Sequence, residues 1–371
     1  MRLLRATEAD SDRLNEFFSK VPLKGSFDYH MHRQGSFFDH YRIQSSDFET
    51  LCLVDAYDKI QGMVTLVFHR GLINQEKTSW CFATDLRISI SREAITNWTQ
   101  LFVPAIERAC AERNCRFLFS AVEHSRNQAY NALIRPNSHA RRRLPRYYLV
   151  NKLHVVSLLG RWPFAARPLE SIRLQSMDLS DLEAACQFMR SKANLRPLAN
   201  AYEPDEFIAM LERWPGLTLS DFRLAKDVRG NILGLAGLWS KHRTQDIIPR
   251  RYHGFAQTFQ QSLNVGSWLG LSRALAPPHQ PMQTRMLTNL FCENAEVFHS
   301  LVDDAFSRLG SREFLTYGHF RGHWRTLPPR SFISASVPFG FYLILPPTGE
   351  PPPWMLLDPH RLPPEFEVAW L

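Results

Sequence analysis

A chain of 371 residues in which 44% are hydrophobic, 12% aromatic and 22% charged can bury two packed cores of about 150 to 200 residues and is not extensively disordered. The formal charge of +8 favours acidic partners, whether a phosphorylated cofactor, an acidic carrier protein, RNA or a membrane surface, and does not choose among them. Six scattered cysteines without a Cys-x-x-Cys pair or a Cys/His cluster, and apolar runs far below spanning length, argue against a metal site, a disulfide framework and a membrane span, so a cytoplasmic protein is expected.

Residues 2–6 read as a first strand, and "TEADSDRLNEFFSK" then opens a helix capped by Thr7 or Asp10. "FETLCLVDAYDKIQGMVTLVFHR" at 48–70 is a strand, a turn at Asp58-Lys59 and a second strand. "SWCFATDLRIS" is a further strand, followed by a helix at 93–113 and the strand "RFLFSAVEH". The stretch "SRNQAYNALI" follows at 125–134, and the basic run "HARRRLPRYYLV" at 139–150 leads into the last strand of this half. Arg135, Arg141, Arg142, Arg143 and Arg146 make that run either a phosphate or carrier contact, with Tyr147 and Tyr148 as stacking surface, or a solvated connector.

Pro163 and Pro168 mark a linker at 161–170, and the same order then repeats. "SIRLQSMDLSDLEAACQFMRSK" echoes the opening, and "DFRLAKDVRGNILGLAGLWSKHR" repeats the strand pair, with its turn at Arg229-Gly230-Asn231. "RMLTNLFCE", a helix at 295–309 and "EFLTYGHF" repeat the rest. Residues 247–279 lengthen one connection; with Phe255, Phe259, Leu263 and Leu269 on one face they either cover a groove or pack between the halves. His319 and His323 are spaced as a helical metal pair would be, but Gly322 between them favours a loop. The proline-dense end reads as an extended strap across the surface. The expected units are 1–160, a linker at 161–170, 171–345 and a tail at 346–371, in an α/β (α+β) class with two mixed, mostly antiparallel twisted sheets flanked by helices.

This order resembles the GCN5-related N-acetyltransferase (GNAT) superfamily, most closely in "RLLRATEADSDRL" and "IQGMVTLVFHR…TSWCFATDLRIS". The resemblance implies two fused GNAT-like units, in each of which one strand splays from its neighbour and pairs with the pantetheine arm of acetyl-CoA. It also implies a phosphate-binding loop that normally reads Arg/Gln-x-x-Gly-x-Gly/Ala, because backbone must approach the pyrophosphate closely. Here that stretch is Ser89-Ile90-Ser91-Arg92-Glu93-Ala94-Ile95, and in the second half Phe291-Cys292-Glu293-Asn294-Ala295-Glu296-Val297, without glycine in either. A carboxylate in the first helical turn competes with phosphate for the same positive potential.

On this resemblance Leu86, Arg87, Ile88, Ser89, Ser91 and Arg92 are the candidate contacts to acetyl-CoA or another acyl-CoA, the arginines and hydroxyls standing in for glycine backbone. Asn127 is a candidate pantetheine contact, Tyr130 a general acid and Glu123 a general base; Asn127 and Tyr130 share a helical face. The plainer alternatives are a Tyr130 ring packed on the sheet and a solvated strand end at Glu123 and His124. No metal is implied. The function expected is N-acyl transfer from CoA or an acidic acyl-carrier protein to a small-molecule or peptide amine. The alternatives are a catalytically degenerate binding module and an aminoacyl-tRNA-dependent transferase, for which strongly salt-dependent tRNA binding is the mark.

Overall fold

Each half opens on the same capped turn. In a computed structural model that describes residues 1–20, 23, 27–73, 75–89, 91–124, 134, 144–165, 168, 171–355 and 362–371, the Thr7 N–H donates to the Asp10 carboxylate at 2.9 Å and the Asp178 N–H to Asp181 at 3.3 Å. These boxes satisfy the first free amides and launch helices α1, Ser11–Lys20, and α4, Leu182–Ala193.

The first half runs β1 (Arg2–Arg5), α1, β2 (Phe27–Arg33), α2 (Asp39–Arg42), β3 (Phe48–Val54), β4 (Ile60–Ile73), β5 (Glu76–Ile88), α3 (Arg92–Glu112), β6 (Phe117–Glu123) and β7 (Arg146–Arg161). The second runs β8 (Arg173–Ser176), α4, α5 (Pro204–Arg213), β9 (Phe222–Lys226), β10 (Ile232–Ser240), β11 (Gln245–Tyr252), α6 (Gly254–Trp268), β12 (Thr284–Cys292), α7 (Ala295–Ser307), β13 (Phe314–Phe320) and β14 (Phe332–Leu345). The turns expected at Asp58 and Gly230 are present, each at positive φ, 60° and 87°.

Twelve strands form one sheet in the order β1-β3-β4-β5-β6-β14-β7-β13-β12-β10-β9-β8. All its described pairings are antiparallel except β5 with β6 and β12 with β13. The last strands are exchanged: β14 pairs with β6 on one side and β7 on the other, while β7 pairs with β13. Each half therefore completes its sheet with the other's final strand. A second link is the two-stranded pairing of β11 with β2, so the long connection at 247–279 joins the halves through its strand. Its helix α6 keeps Leu263 buried, while Phe255, Trp268 and Leu269 are exposed.

The cores lie on both faces of the sheet. Leu14, Phe18, Tyr41 and Met63 pack under α1, and Phe102, Ala105, Leu66 and Cys81 under α3. Met189, Phe207, Phe222 and Trp239 pack under α4 and α5, and Phe298, Leu301 and Tyr317 under α7. Residues 362–371 are not the surface strap expected from their prolines. Phe366, Val368, Ala369 and Trp370 are buried, and the Trp370 ring stacks on His69 with centroids 4.6 Å apart. These apolar side chains outweigh the local preference of the prolines for an extended, solvated chain. No described helix is long and apolar enough to cross a membrane.

Candidate active site

Strands β5 and β6 pair only from Trp80↔Phe117 to Phe82↔Phe119; beyond that they separate, each held by its outer neighbour, β4 or β14. The gap opens on Thr84 to Arg87 along one edge and Ser120 to Glu123 along the other, and both edges line a cavity of about 840 Å³. The widening begins at a bulge. The register passes from Thr65↔Thr84 to Met63↔Arg87, so β5 carries one extra residue, and Asp85 takes φ 54°. Asp is among the few non-glycine residues that enter this region at modest cost.

Its side chain holds the bulge in place. Arg33 Nη2 on β2 reaches Asp85 Oδ2 at 2.5 Å and the Tyr41 hydroxyl donates to the same oxygen at 2.8 Å. The Arg33 side chain is 1% exposed, with its guanidinium carbon 4.9 Å from the Phe18 ring centre and 5.3 Å from that of Tyr41. Lys241, just after β10 of the second half, is also buried on the cavity wall, and its ammonium donates to the Leu371 main-chain oxygen. Burial, with the Arg33 charge adding to it, pushes the Lys241 ammonium down to about 7. Asp85, Arg33, Tyr41 and Lys241 form a site that sequence reading did not find. The available signal was the Asp within "TDLRI", which reads as an ordinary strand residue until its φ is known.

The expected site residues fall into three groups. Glu123 ends β6, is 5% exposed, lines the cavity and accepts a hydrogen bond from the Tyr29 hydroxyl at 3.2 Å. Leu86 lines the cavity beside it, and Ile88, half-buried, ends β5. Arg87 is committed elsewhere: its guanidinium donates to the Phe18 carbonyl at 2.6 Å and lies 3.4 Å from the centre of the Phe18 ring. Ser89 donates to Gln61 Oε1 at 2.7 Å, and the Ser91 hydroxyl caps α3 by accepting from the Ala94 N–H at 3.1 Å. Arg92 is the first residue of α3; its side chain, like Asn127, Tyr130, Arg135 and Arg141 to Arg143, lies outside the described residues.

His319 and His323 share the Thr326 hydroxyl at 3.1 and 3.0 Å, and burial pushes them down to about 4 and about 3. They sit in a strand end and the turn that follows it. Among the described residues no three His, Cys, Asp or Glu side chains converge as a metal site.

The second half repeats this geometry. β12 and β13 pair from Thr284↔Phe314 to Met286↔Thr316 and then part. The register passes from Gly237↔Thr288 to Leu235↔Phe291, again with one extra residue, and Asn289 takes φ 48°. Asn294 caps α7 by accepting from the Val297 N–H at 2.9 Å, as Ser91 caps α3.

No family model matches the sequence, and no curated protein matches it. Solved structures do. N-myristoyltransferase from Saccharomyces cerevisiae, with bound myristoyl-CoA, superposes with a TM-score of 0.55 at 8% identity, over 92% of this chain and 82% of that one. A GCN5-related glucosamine N-acetyltransferase region in a fungal multi-domain β-N-acetylglucosaminidase superposes with a TM-score of 0.56 at 12% identity, over 92% of this chain and 38% of that one. The chain thus spans well under half the length of the fungal protein. The chain has a tandem GNAT fold.

Within the tandem GNAT fold, the bulges at Asp85 and Asn289 are equivalent points of the two units, and so are the capped starts of α3 and α7. The first cleft fits the slender part of an acyl thioester. It has an open strand edge, a bulge whose main chain turns out of the ladder, and apolar walls at Trp98, Phe102, Ile106 and Leu118. The phosphate end fits less well: in place of glycines there is a serine cap and the exposed Glu93 in the first turn. The cavity continues past Glu123 and Lys241 to Phe259, Leu275 and Met282 of the second half.

Proposed function

We propose that the protein is a GNAT-type N-acyltransferase with its reacting centre at the Asp85 bulge of the first half. The observation that carries this reading is the single cavity running from the open β5 edge to the apolar wall of the second half. An acyl thioester, on CoA or an acyl-carrier protein, supplies the activated carbonyl. The main chain of Asp85 to Ile88 pairs with the donor's pantetheine arm, and the N–H groups at the bulge face the carbonyl oxygen, where negative charge gathers as the amine attacks. Glu123 takes the amine proton; its carboxylate is positioned by the Tyr29 hydroxyl. A nitrogen–carbon bond forms, the carbon–sulfur bond breaks, and the departing thiolate is protonated, the role assigned to Tyr130, with Asn127 holding the pantetheine arm.

The test is release of free thiol from acyl-CoA donors, acetyl through palmitoyl, in the presence of a panel of small amines and peptides. Glu123→Gln should lower kcat at least about 100-fold with donor affinity unchanged. A wild-type chain whose melting temperature no donor raises, where saturation at 100 times Kd is worth about 2.7 kcal/mol, would instead be a degenerate binding module.

A further inference from the structure

The two clefts of this fold differ in one respect: the second is filled by the chain itself. Glu367 and Val368 lie where β12 and β13 separate. Glu367 Oε1 accepts the Asn289 main-chain N–H at 2.6 Å, and Glu367 Oε2 accepts the Thr288 hydroxyl at 3.0 Å. Asn289 is the bulge residue, so its N–H stands where the Asp85 N–H stands in the first half. Val368 follows closely enough that a Cβ on Gly318 of β13 would meet its Cγ2 at 2.8 Å. The segment therefore contacts both edges of the second cleft, with a carboxylate oxygen on the amide that the plan of the fold reserves for a carbonyl oxygen.

We infer that residues 365–371 are a resident ligand of a second acyl-thioester cleft, with the Glu367 carboxylate seated as a substrate carbonyl would be, so that the chain takes up one donor and not two. The same segment reaches the first half. Trp370 stacks on His69, which stacks in turn on Trp80 of β5 with centroids 4.4 Å apart, and Val368 and Leu371 line the working cavity. Occupation of the second cleft thus builds part of the wall of the first. The inference rests on the reading above only in taking the first cleft as the donor site.

Two measurements on the full chain test it. Hydrogen exchange read by mass spectrometry should show peptides covering 286–292 and 365–371 exchanging at least tenfold faster in Glu367→Ala, with peptides of β3 unchanged. Titration of the wild type with myristoyl-CoA should give one equivalent. Unchanged exchange in Glu367→Ala, or two equivalents in the wild type, overturns the inference. Absence of any binding counts against the proposed donor, and the exchange result then decides the resident-ligand assignment alone. If Glu367→Ala does not fold, Glu367→Gln at pH 8 serves: the Asn289 amide proton should move upfield as its acceptor loses charge, and an unmoved resonance overturns the assignment.

Discussion

Replacing Asp85 by Asn isolates the charge that holds the bulge. Asn tolerates positive φ as Asp does, so the backbone requirement at φ 54° is met and the change falls on the ion pair. Arg33 is left with its side chain 1% exposed, and its Nε and Nη1 already lack hydrogen-bond partners among the described residues. Removing one member of a buried pair costs about 3–5 kcal/mol, chiefly because the surviving charge stays desolvated. We expect Asp85→Asn to lose about 3 kcal/mol in urea unfolding with an unchanged slope, a large part of the roughly 5–15 kcal/mol that a native chain holds. Arg33→Met in the Asp85→Asn background should recover most of the loss, since an apolar side chain suits the ring-lined pocket of Phe18, Phe37 and Tyr41. A loss below about 1 kcal/mol in Asp85→Asn, or no recovery in the double variant, refutes the argument that a buried charge pair pins the bulge.

Burial pushes Glu367 up to about 7 and Glu365 up to about 8, from a usual value of 4.5. A carboxyl whose folded value is raised binds more protons folded than unfolded, so its contribution is complete below about pH 4.5 and declines as pH rises through the folded value. Glu367→Gln, which stays neutral, should therefore gain stability relative to wild type between pH 5 and pH 8 by a few kcal/mol, read from urea midpoints; a pH-independent difference contradicts a buried, raised carboxyl. Gly318→Ala places a methyl 2.8 Å from Val368 Cγ2 and should cost about 1–3 kcal/mol through overpacking, with faster exchange at 365–371 as its local mark. Trp370→Ala removes a 5% exposed ring that stacks on His69 and meets Phe366 edge to face; about 3–5 kcal/mol should be lost by thermal or urea unfolding.

The duplicated plan is legible in the sequence because local signals carry it. The capping residues at Thr7 and Asp178, the turn residues Asp58 and Gly230, and the apolar runs of β3, β4, β9 and β10 each act within a few residues. What was not legible depends on contacts between distant parts. The positive φ of Asp85 is held by Arg33 and Tyr41, and the exchange of β7 with β14 is a choice of partner that either strand satisfies equally well on pattern alone. Arg87 reads as a phosphate contact from its place beside the loop, but Phe18 on α1 captures its guanidinium. Composition misplaced 362–371 because the proline-dense stretch from Pro346 to Pro364 set the reading of the whole tail, while Phe366, Val368 and Trp370 determine its burial.

The loop without glycine and the long apolar cavity bear on the same free energy. A glycine-rich turn lends a pyrophosphate several backbone N–H donors, each charge-assisted bond being worth about 1.5–3 kcal/mol. Here Ser91 takes one such N–H for its own cap, and Glu93 adds a like charge. If two such bonds are forgone, about 3–6 kcal/mol must come from elsewhere in the donor, and at about 0.8 kcal/mol per buried methylene roughly four to eight methylenes supply it. The walls at Trp98, Phe102, Ile106 and Leu118 are suited to that exchange. On the proposed reading, free CoA and acetyl-CoA bind weakly, and Kd falls about fourfold with each added methylene until the apolar walls are covered. Calorimetric titration of an acyl-CoA series measures this slope directly, and salt leaves it nearly unchanged because the gain is apolar. A Kd that is flat from acetyl to myristoyl, or that weakens steeply with salt, places the affinity back on the phosphates and refutes the argument.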